Sequence, residues 1–149
     1  MIFAKPNQIP VFMLGKLNLL LDLLRERKRE FEHFASNIQN RSLRRTVLGL
    51  AQECNQYANE LSGQIETMTG AATVNREQER LTGNSLLLKE EDMLQSCLIS
   101  EKKMVAAYRS VLREPGFIDN LKSLLNNQLN GFACAFTQIN LLNVSLYHG

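Results

Sequence analysis

The stretch SLRRTVLGLAQECNQYANELSGQIETM, residues 42–68, places apolar side chains at Leu43, Val47, Leu50, Cys54, Tyr57, Leu61, Ile65 and Met68. Steps of three and four residues follow the 3.6-residue turn of an α-helix and build one buried stripe, whereas a strand would alternate. Ser42 stands where an N-cap residue would, ahead of the first apolar position.

The same period continues on both sides. Toward the N-terminus, Leu14, Leu17, Leu21, Leu24, Phe31, Ala35 and Ile38 form a second stripe, beginning after Pro10 and ending in the polar run around Asn37. Lys28 takes the one missing place, where its aliphatic stem can cover core while the ammonium reaches water. Toward the C-terminus, Leu87, Leu94, Cys97, Leu98, Val105, Tyr108 and Leu112 precede the breaker pair Pro115-Gly116. Beyond it run Phe117, Ile118, Leu121, Leu125, Gln128, Phe132, Ala135, Ile139, Leu142 and Leu146. These patterns predict helices over residues 11–38, 43–68, 86–113 and 117–146. No strand-like run competes, so the reading is all-α: one domain over residues 1–149, an up-down-up-down four-helix bundle. Thr69 to Ser85, with Gly70, Gly83 and a polar run between them, is the one long connection and is expected to be mobile.

Composition narrows the function classes. The chain has 149 residues, 44% hydrophobic and 21% charged, which is the profile of a soluble globular domain. A net charge of +2 is too small for a general nucleic-acid or anionic-membrane binder. The basic residues Arg25, Arg27, Lys28, Arg29, Arg41, Arg44 and Arg45 are interleaved with Glu26, Glu30 and Glu32, the pattern of an ion-paired face. The apolar N-terminal stretch is interrupted by Lys16 and Asp22 and is too short to span a bilayer. Three widely spaced cysteines are not a disulfide framework, and reduced thiols suit a cytoplasmic protein. Cys54, Cys97 and Cys134 each fall near the middle of a different helix, so antiparallel packing would bring them to one level of a shared core.

Catalytic groups are sparse. There is no phosphate-cradling glycine loop, no cysteine pair at zinc spacing and no nucleophile elbow. His33 and His148 have no partner pattern around them and read as surface or interface residues. Among the carboxylates, Glu101 lies next to the third stripe and is expected to point inward, to pair with Lys28 or Gln128 or to reach water at the stripe's edge. Glu53 precedes Gln56 by three residues, and the first helix offers Glu26 and Glu30.

With Leu17-Asn18 near its start, Glu53 on its second helix and Glu101 with Tyr108 on its third, the chain resembles the ferritin-like superfamily, specifically its small bacterial four-helix proteins of uncharacterised function. That resemblance covers nearly the whole chain. It implies a possible iron or manganese centre built from Glu26 or Glu30, Glu53 and Glu101, and an oxidoreductase or metal-binding role. Two departures weigh against such a centre: Gln56 stands where the superfamily has a histidine, and no carboxylate or histidine occurs between Ser123 and Tyr147. The preferred expectation is therefore no metal, no cofactor and no catalysis.

The stretch from Ser123 to Tyr147 carries no Asp, Glu, Lys, Arg or His. A helix with a solvent-facing side normally displays charge there, so this neutrality predicts that the outer face is covered too. Phe132, Phe136, Ile139, Asn140 and Asn143 are the expected interface residues, Ile139 being the one that stripe geometry could place in the core instead. Gly131 would permit close approach of another helix. The expected partner is a second copy of the chain, giving a homo-oligomer, with a non-enzymatic role in protein interaction.

Overall fold

The computed structural model describes residues 10–71, 89–116 and 118–148. Four helices account for nearly all of them: α1 (Val11–Asn37), α2 (Arg41–Thr69), α3 (Glu90–Leu112) and α4 (Asp119–Asn143), the last running into a π-helical turn at Val144–His148. Among the described residues there is no strand.

Local chemistry sets the helix ends. Pro10 holds extended backbone before α1, and its carbonyl accepts the amides of Met13 and Leu14. Helix α2 is capped by Asn40, whose side chain accepts the Leu43 amide at 3.0 Å, so the cap lies two residues ahead of Ser42. It stops at Gly70, whose φ of 71° is left-handed and favours glycine. Glu90, Glu91 and Asp92 occupy the first turn of α3, where carboxylates complement the helix dipole. The sequence expectation of residues 86–113 for this helix is longer than α3, and 86–88 lie outside the described residues, as does most of the expected long connection. Helix α4 begins two residues later than expected, at Asp119.

Side-chain pairs fix the directions of the helices. Along α1, Lys16 bonds Glu114, Arg27 bonds Ser100, and the Gln39 amide donates to Glu90, so α3 descends as α1 ascends. Tyr108 meets Gln128 and Gln95 meets Asn143, which makes α3 and α4 antiparallel. Glu60 and the Tyr57 carbonyl meet Gln128 while Tyr57 packs on Phe132, so α2 and α4 also run opposite ways. Helix α1 neighbours α2 and α3, and α4 neighbours both of those as well. The order is therefore up-down-down-up, with α1 diagonal to α4 and α2 diagonal to α3. This corrects the up-down-up-down expectation. Alternation would make α3 parallel to α1, and the three α1–α3 bonds forbid that.

The core runs the length of the bundle. Phe31 and Phe136 meet edge to face across the α1–α4 diagonal at 6.4 Å, and Phe136, Phe132 and Tyr108 continue the aromatic chain. Each buried aromatic removes a large apolar area from water, about 25 cal/mol for every Å².

Candidate interaction surface and buried polar clusters

Three places in the bundle gather polar groups. The first is Gln128, only 1% exposed, on the inner face of α4. Its Oε1 accepts the Tyr108 hydroxyl at 2.7 Å, while its Nε2 donates to the Tyr57 carbonyl at 3.2 Å and to Glu60 Oε1 at 3.1 Å. The amide is thus satisfied within one chain. The other Glu60 oxygen accepts from Gln56 at 3.1 Å, so Gln56 is engaged in a pair on its own helix.

One turn along α2, the Tyr57 hydroxyl faces Glu53 and lies in the notch left by Gly131. A Cβ at Gly131 would stand 1.9 Å from that hydroxyl and 3.6 Å from Glu53 Oε2. Gly131 therefore does admit a close neighbour, but the neighbour is α2 of the same chain. Burial raises the Glu53 carboxyl above its usual value, with the Tyr57 hydroxyl acting the other way, and its Oε2 has no hydrogen-bond partner. Burial, and then the Glu53 charge, push the Tyr57 hydroxyl up to about 12.

The third place is the α1–α3 seam. Arg27 donates to Glu30 at 3.0 Å and to Ser100 at 3.1 Å, and Ser100 donates to Glu30 at 3.2 Å. Arg27 also meets the exposed Glu26 at 2.6 Å. Its side chain is only 12% exposed, so the cation that enters the gap in the α1 stripe is Arg27, and Lys28 is left half-buried beside it.

The four candidate metal carboxylates are dispersed by this arrangement. Glu26 points outward, Glu30 lies in the α1–α3 seam, Glu53 faces Gly131 between α2 and α4, and Glu101 lines a groove between α3 and α4. Glu101 is half-buried because the buried residues of α3 are Met93, Leu94, Cys97, Ser100, Met104, Tyr108 and Val111, which leaves it at the edge, and it pairs with neither Lys28 nor Gln128. Among the described residues no three His, Cys, Asp or Glu side chains gather as metal ligands would. The residues present do not fit a dinuclear iron or manganese centre.

The cysteines separate as well. Cys54 and Cys97 are buried in the core, near enough for the charge of one to act on the other, while Cys134 is exposed on the outside of α4. Burial pushes the Cys97 thiol up to about 12 and raises Cys54 further. Only two of the three therefore share the core level expected of all three.

Of the five expected interface residues, Phe132, Phe136 and Ile139 are at most 1% exposed and Asn143 is buried with Gln95 donating to it at 3.3 Å. They pack the chain's own core, which corrects their assignment to an outer face. Asn140 alone is exposed. The reason is rotation: the stripe steps from Phe132 to Phe136 and Asn143, so Ala135 and Leu142 are only partly buried. Outward, α4 presents Asn130, Cys134, Thr137, Asn140 and Leu141, the last 62% exposed, and the π-helical turn after it adds Val144 and Leu146 at 47% and 40%. Across the groove, Ile99 of α3 is 55% exposed. The groove is about 450 Å³ and runs between Gln95, Leu98, Ile99 and Lys102 on one side and Phe136, Thr137, Asn140 and Leu141 on the other. Among the described residues no helix is long and apolar enough to cross a membrane.

No protein-family model matches this chain, and no curated protein matches it either.

Proposed function

We propose that this chain is a non-enzymatic interaction protein on a ferritin-like bundle, acting by self-association through the outer face of α4. The observation that carries the reading is that no Asp, Glu, Lys, Arg or His occurs from Ser123 to Tyr147, while Leu141 and Val144 of that stretch are exposed. Solvated helix faces display charge, and interface cores lose it while keeping apolar groups. The ferritin-like assignment draws support from the up-down-down-up order, in which α2 and α3 run the same way, unlike a simple up-down bundle. Free thiols throughout support a cytoplasmic setting. Neither a nucleic acid nor a membrane is proposed as partner. The dispersed carboxylates speak against the metal-binding oxidoreductase alternative.

Sedimentation velocity on matched variants tests this reading. Leu141→Glu is expected to shift the chain toward monomer, and Leu19→Glu, on the equally exposed outer side of α1, is expected to leave association unchanged. Equal behaviour of the two variants would contradict it.

A further inference from the structure

We infer that the first two turns of α2 are a docking surface for an acidic segment of another protein, on a different helix from the α4 face and independent of the reading given to that face. The basic cluster of α1 and α2 divides in the structure. On α1, Arg27 is ion-paired with Glu26 and Glu30. On α2, Arg41, Arg44 and Arg45 are exposed, and among the described residues none of their guanidinium groups meets a carboxylate or another acceptor. Glu90 reaches the same end of α2, but its carboxylate accepts the Gln39 and Asn40 amides. The ion pairing expected of the whole cluster is therefore not met on α2.

Three cations in this place act against the helix that carries them. The start of a helix favours anions, because its unpaired amides and the helix dipole make that end positive. Helix α3 follows the rule with Glu90, Glu91 and Asp92, whereas the first turn of α2 has no acidic residue. Arg41 also stands three and four residues from Arg44 and Arg45, spacings at which like charges on a helix repel. Folding alone does not favour this arrangement, and an acidic partner relieves both repulsions. The three arginines and Leu48 share one stripe and line a shallow cavity of about 280 Å³, with Leu48, 41% exposed, one turn beyond Arg44. The stripe extends about 10 Å along the axis. A helical segment with carboxylates at successive turns beside an apolar side chain complements it, the guanidinium forks taking the carboxylates and Leu48 the apolar group. A nucleic-acid strand complements it less well, because no aromatic side chain lines the cavity to stack on a base and three cations neutralise few phosphates.

Fluorescence anisotropy with the full chain tests the surface. The labelled probes are a helical peptide with glutamates at successive turns beside a leucine, its twin with glutamine for every glutamate, and a single-stranded oligothymidylate of equal charge. The acidic peptide is expected to bind, and combining Arg41→Gln, Arg44→Gln and Arg45→Gln is expected to weaken it about tenfold. Combining Lys102→Gln, Lys103→Gln and Lys122→Gln removes the same charge elsewhere and is expected to leave binding unchanged. The arginine variant should unfold at the parental temperature or above it, since it takes cations away from the positive end of a helix. Unfolding below the parent would show that the arginines serve folding, and would overturn the inference. Equal binding of the acidic peptide and its glutamine twin would overturn it too, as would equal weakening by the lysine variant. Tighter binding of the oligothymidylate than of the acidic peptide would assign the surface to nucleic acid instead.

Discussion

At the residue scale, Gly131 shows how one missing Cβ determines a contact. Alanine in mid-helix ordinarily improves on glycine by about 1 kcal/mol. At Gly63 of α2 an added Cβ would meet nothing within 4 Å, and Gly63→Ala is expected to stabilise by that amount. At Gly131 the same Cβ would collide with the Tyr57 hydroxyl, whose ring is held edge-on to Phe132 at 4.8 Å. Gly131→Ala is therefore expected to destabilise by about 1–3 kcal/mol. Tyr57→Phe in the same chain should recover part of the loss, which urea unfolding of the two single variants and the double variant would measure. A stabilised Gly131→Ala would mean that the notch is not filled. The sequence shows a glycine in a helix and so the possibility of close approach, but nothing in it names Tyr57 as the neighbour. That identity depends on which helix lies beside α4, a property of the packed bundle.

At the scale of elements, periodicity reads some helices better than others. Helix α2 has clean steps of three and four, and every stripe position read from it except Tyr57 is fully buried. Helix α3 has apolar residues on both sides of its true stripe, so Leu98, Val105 and Leu112 compete with Met93, Met104 and Val111, and only packing decides between the two sets. That rotation decides among the alternatives for Glu101, which lies half-buried at the edge of the stripe. The fourth helix is ambiguous for the same reason, since Phe132, Phe136 and Ile139 suit either an interface or a core, and packing puts them in the core. Direction was illegible too: short connections imply antiparallel neighbours, but the long one between α2 and α3 permits either sense. Zero-length carbodiimide coupling followed by peptide mass spectrometry checks the direction found. It is expected to join Lys16 to Glu114, the bonded pair at the far end of α3. Coupling of Lys16 to Glu90 or Glu91 instead would mean that α3 runs parallel to α1.

At the scale of the whole molecule, buried acidic protons tie stability to alkaline pH. Cys97 and Tyr57 each titrate near 12 in the folded chain, against about 8.5 and about 10 for the exposed groups. The folded state holds these protons more tightly, so their contribution is complete below the unfolded values and is lost as pH rises toward about 12. Urea midpoints should fall progressively from about pH 9 upward, and Cys97→Ala should make that decline shallower. A pH dependence identical in the variant would contradict the burial of that thiol's proton. The aromatic core, the satisfied amide of Gln128 and the Arg27 seam all belong to a single chain, and the exposed apolar side chains of the charge-free stretch, Leu141 foremost, are a remainder that folding does not account for. Sedimentation equilibrium of the unmodified chain, from low micromolar to millimolar concentration, tests that remainder most directly. The account predicts a weight-average mass that climbs from 16.9 kDa toward twice that value, and a mass that stays at 16.9 kDa throughout would contradict it.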